Sequence, residues 1–163
     1  MATNTELVMN VFGAINAHDL DALRACWAPD GTERFPDRTC EGADAIVEHF
    51  EGLFAAMPDF AMEVVATVED GETVFARWRL SGTHTGEAFA GIERTGARIE
   101  VDGVDQFTLH DGKVAANFVV FDQMEVARQL GLLPADGSPA DRALKAAFNA
   151  KTKIAEAIRE ARR

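Results

Sequence analysis

Between Ile99 and Phe121 two runs of alternating apolar residues flank Asp111-Gly112, the residue pair that a tight two-residue turn demands. Such a pattern commits the chain to an antiparallel hairpin with one apolar face. On the first run Ile99, Val101, Phe107 and Leu109 alternate, and Asp105 falls in phase with them. On the second, Val114, Ala116, Phe118 and Val120 alternate, and Asp122 is next in phase. An ideal ladder pairs Leu109 with Val114 and Phe107 with Ala116, which sets Asp105 opposite Phe118 and Asp122 opposite Val101. A carboxylate on that face loses its water, so it must be partnered, protonated or used.

The rest of the chain falls into two regimes. Up to Pro58 the apolar period is helical. Thr3 and Glu6 form a capping-box pattern ahead of a stripe of Leu7, Val8, Val11, Phe12 and Ile15 over residues 3–17. Asp19 can cap a second helix running through Trp27, with Pro29-Asp30-Gly31 ending it and a short extended piece at Thr32–Phe35. A third helix covers residues 43–57 and stops at Pro58. From Phe60 the period becomes two. A strand ending at Val68 is expected to pair with residues 73–83 through a three-residue turn with Gly71 in a bulge, which sets Ala66 beside Val74 and Met62 beside Trp78. After the hairpin come a short helix at 123–131, a linker from Pro134 to Pro139, and a last helix at 140–160 with Leu144, Ala147, Phe148, Ile154 and Ile158 along one side. Helices followed by a strand meander indicate an α+β fold, a curved antiparallel sheet wrapped around the N-terminal helices. The expected division is a cone domain at 1–134 and a linker with an amphipathic helix at 135–163.

Composition narrows the function classes. The 163 residues suit one domain with a full core, and no apolar run approaches the ~18 residues of a membrane span. The N-terminus lacks the basic and apolar regions of a secretory signal, and Cys26 and Cys40 show no metal-like spacing, so a reducing cytoplasm is expected. A net charge of −11 argues against nucleic acid and anionic membranes as partners. The basic end, Arg159, Arg162 and Arg163, suits the C-terminal pole of a helix. The four histidines have no ligand spacing, so neither a metal nor another cofactor is expected.

Several runs resemble the SnoaL-like polyketide cyclase family of the nuclear-transport-factor-2-like superfamily. They are Ala55-Ala56-Met57-Pro58-Asp59-Phe60, Arg77-Trp78 leading to Gly82-Thr83-His84-Thr85-Gly86, Gly91-Ile92, Gly103-Val104-Asp105-Gln106-Phe107, Gly112-Lys113, and Asp122 followed by Gln129-Leu130-Gly131. The resemblance implies an α+β cone, a homodimer with sheets packed back to back, and a deep apolar pocket for a flat polycyclic ligand. In the family's cyclases the aspartate closing the last long strand is acid and base in an intramolecular aldol closure, a position that matches Asp122. Those cyclases also use a polar partner, often histidine, on the neighbouring strand. This chain carries Phe107 two residues after Asp105.

The candidate catalytic residues are therefore Asp122, Asp105 and His84. Asp122 has two readings, a general base in an apolar cavity or the N-cap of the following helix. Asp105 is either a polar contact to substrate or a structural carboxylate bonded to Arg77, Arg79 or a loop amide. His84, at the end of a strand, is either structural or a donor to a substrate carbonyl. His18, His49 and His110 are expected to be solvated. Trp27, Phe35, Phe54, Met57, Trp78, Phe107 and Phe118 are candidates to line a hydrophobic small-molecule site, with core packing as the alternative. The chain has no tyrosine, which excludes a tyrosine-based oxyanion hole, and Gly103 stands where an epoxide hydrolase of the limonene type would place arginine. These readings leave three functions open: a cyclase or isomerase with an aspartate acid/base, a non-catalytic binding protein, and an epoxide hydrolase.

Overall fold

The computed structural model describes residues 3–162, so Arg163 of the basic end lies outside the described residues. Helix α1 (Asn4–Ala17) starts on the expected capping box: the Thr3 hydroxyl accepts from the Glu6 amide, and the Glu6 carboxylate accepts from the Thr3 amide. Helix α2 (Leu20–Cys26) is capped by Asp19 and stops one residue before Trp27. Strand β1 (Trp27–Arg34), β2 (Thr39–Glu41), helix α3 (Ala43–Ala56), β3 (Ala61–Asp70), β4 (Thr73–Thr83), β5 (Arg98–His110), β6 (Lys113–Phe121), α4 (Gln123–Gln129) and α5 (Pro139–Ala161) complete the chain.

The six strands form one sheet in the order β2-β1-β6-β5-β4-β3, antiparallel except where β1 runs parallel to β6. Residues Val8, Phe12, Ile46, Phe50 and Leu23 of the first three helices join Val74, Trp78, Phe107 and Val114 of one sheet face in a single buried core. This is an α+β fold, as the change of period at Pro58 implies.

Three local expectations are corrected. Pro29-Asp30-Gly31 does not end a helix but lies inside β1, where the register against β6 jumps from Trp27↔Val114 to Thr32↔Ala116. A bulged strand accommodates the proline, and Gly31 is needed because a Cβ there would stand 3.1 Å from the Val114 carbonyl oxygen. The β3–β4 connection is a tight turn with Asp70 opposite Thr73, and the bulge lies further along, between Val64 and Ala66. Val68 therefore faces Phe75, not a core partner.

The third correction bears on the site. Asp111 (φ 49°) and Gly112 (φ 73°) form the expected left-handed turn, and Leu109 pairs with Val114. The ladder then slips between Thr108 and Leu109, so that Ala116 faces Thr108 and Asn117 faces Phe107. One extra residue on β6 reverses every side chain beyond it. Asn117 and Val119 turn into the core, whereas Phe118 and Val120 are 43% and 51% exposed on the outer face.

Candidate functional site

The slip in β6 brings three polar side chains together inside an apolar core. Asn117 donates its Nδ2 to Glu33 Oε1 of β1 at 2.9 Å and to Asp105 Oδ2 of β5 at 3.2 Å. Exposures of 3% for Asn117, 3% for Glu33 and 5% for Asp105 remove all three from bulk water. Glu33 Oε2 and Asp105 Oδ1 have no hydrogen-bond partner. Burial pushes the Glu33 carboxyl up to about 8, with the neighbouring Asp105 charge adding to the shift and the Asn117 amide opposing it. Burial also pushes Asp105 up to about 7, against the opposing effects of the Trp78 indole and the Asn117 amide. The indole N–H lies near enough to favour the Asp105 anion but completes no hydrogen bond of normal geometry. At neutral pH the pair thus offers one protonated and one partly ionised carboxyl, a donor beside an acceptor.

Glu33 and Asp105 line a cavity of about 440 Å³. That volume suits a small organic ligand. Its other walls include Val11, Ile15, Phe50, Phe60, Trp78, Val101, Phe107 and Val119. Helix α4 contributes Val126, Ala127 and Leu130, and it is held in place by Gln129, whose side-chain amide exchanges two hydrogen bonds with the backbone of Glu100 (2.8 and 3.0 Å). On the opposite side the loop after β4 supplies Phe89, Ala90 and Ile92. This loop is tied to α3 by the Gly86 and Glu87 amides, which donate to the Ala56 and Ala55 carbonyls at 2.9 Å.

The candidate residues of the sequence separate into distinct places. Asp105, His84, Phe35, Met57, Trp78 and Phe107 line the cavity. His84 has both ring nitrogens engaged, Nε2 with the Glu87 carbonyl (3.0 Å) and Nδ1 with the Thr95 hydroxyl (3.3 Å), so it braces the loop. Trp27 is buried in the core away from the cavity lining. Phe54 stacks on His18 at 4.0 Å, and His18 also bonds the Phe60 carbonyl, so His18 is packed rather than solvated. Phe118 faces outward beneath the Arg34 guanidinium, 5.2 Å from its ring centre. Asp122 is exposed and caps α4, accepting from the Glu125 amide at 2.9 Å. Asp105 bonds neither Arg77 nor Arg79, which both pair with Asp102 on the outer face.

Two residues of this cluster carry no warning in the sequence pattern. Glu33, which lines the cavity, stands in a short extended piece with no apolar alternation, and Asn117, which bridges the two carboxyls, is out of phase in an ideal hairpin. His49 also lines the cavity, flanked by Phe35 and Phe89, and burial lowers its pKa to about 4 with help from Arg38 and against Asp37. It is neutral at physiological pH. Among the described residues no three His, Cys, Asp or Glu side chains converge as a metal site requires, and no helix is long and apolar enough to cross a membrane.

The sequence pattern of SnoaL-like polyketide cyclases matches residues 6–130. The chain belongs to that family. Solved structures agree with the assignment. AclR from Streptomyces galilaeus, a candidate hydroxylase, is 28% identical with a TM-score of 0.72, covering 96% of this chain and 94% of its own. A candidate SnoaL-like polyketide cyclase from Jannaschia sp. CCS1 is 27% identical with a TM-score of 0.72, over 80% of this chain and 93% of that one. TsrD from Streptomyces laurentii is 25% identical with a TM-score of 0.71, over 79% and 95%. No curated protein matches the sequence. The SnoaL-like match stops at residue 130, so α5 lies outside it, whereas the alignment with AclR takes in nearly the whole chain.

Proposed function

We propose that this SnoaL-like protein is a cyclase or isomerase for a hydrophobic, carbonyl-rich polycyclic or polyketide-like molecule, with Asp105 as the base and Glu33 as its acid partner. One observation carries the reading: two buried carboxyls, bridged by a single amide, each present an unpartnered oxygen at the edge of an apolar cavity. The ionised Asp105 removes a proton from the carbon alpha to a substrate carbonyl. The Glu33 O–H and the Trp78 N–H donate to the carbonyl oxygen as it gains negative charge. The enolate carbon then attacks a second carbonyl of the same molecule, whose alkoxide takes a proton from the acid. Reprotonation at carbon instead gives isomerisation. A proton acceptor, oriented donors and exclusion of water are enough for this chemistry.

Asp122 has no part in this reading, because its carboxylate is committed to the α4 amide outside the cavity. The test uses 2-tetralone, a fused bicyclic ketone, in D2O. Wild-type protein should speed deuterium entry at the carbons beside the carbonyl, and Asp105→Asn should lower that rate by about 10²–10⁴. Equal rates for both proteins reject the assignment. If the ketone binds and no exchange is accelerated, the protein is a carrier.

A second reading follows from the alignment with AclR, which includes the C-terminal helix. Under it the cavity serves hydroxylation. Product mass separates the two: isomerisation and aldol addition conserve it, whereas hydroxylation adds one oxygen atom.

A further inference from the structure

The cavity wall holds a polar side chain that the chemistry of the carboxyl pair does not use. Apart from Glu33 and Asp105, five polar side chains line the cavity among the described residues: Asp37, Arg38, His49, His84 and Gln123. Four of them are committed elsewhere. Arg38 donates from Nε and Nη2 to one oxygen of Asp37, at 3.2 and 3.1 Å, so this cation is neutralised by its own neighbour. His84 has both ring nitrogens bonded within the loop. Gln123 stands exposed to solvent at the start of α4.

His49 remains. Its ring packs among Phe35, Phe50 and Phe89, with ring centres 4.4, 5.8 and 5.8 Å away. Nδ1 is buried, and nothing among the described residues bonds it. His18, His84 and His110 by contrast each hold a hydrogen bond. Burial keeps the His49 ring neutral, with the proton on one nitrogen and a lone pair on the other. A sealed, unpartnered N–H is costlier than a sealed lone pair, which puts the proton on Nε2. A donor in an aromatic wall that holds little water makes a stronger hydrogen bond than the same group in solvent.

Strand β1 leads from the carboxyl pair to this ring. Phe35 follows Glu33 by two residues, about 7 Å along an extended chain, and its ring touches His49. A fused bicyclic or tricyclic ligand is long enough to reach from one polar point to the other with its faces against the apolar walls.

We infer that His49 is a specificity-determining residue: its Nε2–H donates to a neutral oxygen, a hydroxyl or a carbonyl, at the end of a fused-ring substrate opposite the reacting ketone. Which end reacts rests on the reading of Asp105 as the base. The oxygen is neutral because His49 carries no charge and Arg38 is already paired with Asp37. This contact sets the direction of the ligand, so that the ketone and not the far oxygen meets Asp105. Without it a flat apolar molecule enters either way round.

Calorimetric titration of the full-length protein at neutral pH tests this with three ligands: 2-tetralone, 6-hydroxy-2-tetralone, and 2-tetralone bearing a carboxylate at the same carbon as the hydroxyl. Wild-type protein should bind the hydroxy ketone about tenfold more tightly than 2-tetralone, and the carboxylate no more tightly than 2-tetralone. His49→Phe should bring the ratio of the first two affinities close to one. His49→Gln, which keeps an N–H near the place of Nε2, should retain most of the preference. In wild-type protein the His49 Nε2 proton should become slow to exchange with solvent, by NMR, when the hydroxy ketone is bound and not when 2-tetralone is bound. Equal wild-type affinities for the two ketones overturn the inference. So does a preference that survives in His49→Phe, one lost equally in His49→Gln, or tighter binding of the carboxylate. Binding is read without turnover, so a preference without deuterium exchange leaves the His49 contact standing while the role of Asp105 falls.

Discussion

Trp78 fills the space that a side chain at residue 103 would need. The two residues face each other across β4 and β5, and a Cβ on Gly103 would stand 2.3 Å from two atoms of the indole and 2.8 Å from the Val120 carbonyl oxygen. The bare glycine lets the indole lie over β5, with its N–H beside Asp105.

Gly103→Ala should therefore lower stability by about 1–3 kcal/mol, because neither the strand backbone nor a fully buried tryptophan can yield freely. Gly13→Ala is the control. It lies in α1 with nothing within 4 Å of the added methyl, and should raise stability by about 1 kcal/mol. Denaturant midpoints at constant m-value measure both.

The pH dependence of stability should carry the mark of the carboxyl pair. Unfolded, Glu33 and Asp105 ionise near pH ~4. Folded, they hold their protons to about 8 and about 7. Between those limits the folded protein binds more protons than the unfolded chain, so stability falls as pH rises. The fall should run from about pH 4 to about pH 8. Glu33→Gln removes one ionisation and should flatten the slope. Thermal melts across this range give the slope. The protonated carboxyl stretch in the infrared spectrum at pH 7 should be present in wild type and reduced in Glu33→Gln.

Asp105 and Asp122 should respond in opposite ways. Asp122→Ala removes the cap of α4 and should cost about 1 kcal/mol of stability without slowing deuterium exchange into 2-tetralone. Asp105→Asn should abolish most of the exchange. Measuring both quantities on both variants separates a helix cap from a base, and loss of exchange in Asp122→Ala alone would reverse the roles.

His84 holds the loop that forms one wall of the cavity. His84→Ala removes its contacts with Glu87 and Thr95 and should raise amide hydrogen exchange throughout residues 85–96. Ketone affinity should fall, since Phe89, Ala90 and Ile92 lose their support, and the strands of the sheet should exchange as before.

Much of this architecture is legible along the chain because local physics decides it. The capping box at Thr3, the helix stop at Pro58 and the left-handed Asp111-Gly112 turn are each set by residues within a few positions of one another. Asp105 is likewise legible, being a carboxylate in phase with Ile99, Val101, Phe107 and Leu109. The phase of β6 is not. Val114, Ala116, Phe118 and Val120 make as good an apolar row as Val119 and Phe121 do, because the outer sheet face is apolar too. Alternation alone cannot choose between them. The choice rests on contacts far apart in sequence: β1 brings Trp27 and Gly31 against Val114, the register shifts there, and one extra residue turns Asn117 inward and Phe118 out. Glu33 enters the cavity by the same parallel pairing of β1 with β6, which no periodicity near residue 33 announces. The sequence alone determined where the helices begin, how the β5–β6 hairpin turns and that one aspartate would be buried. Tertiary pairing decided which face each β6 side chain takes, and so which residues share a cavity, because a one-residue slip in a ladder costs little locally and inverts everything beyond it.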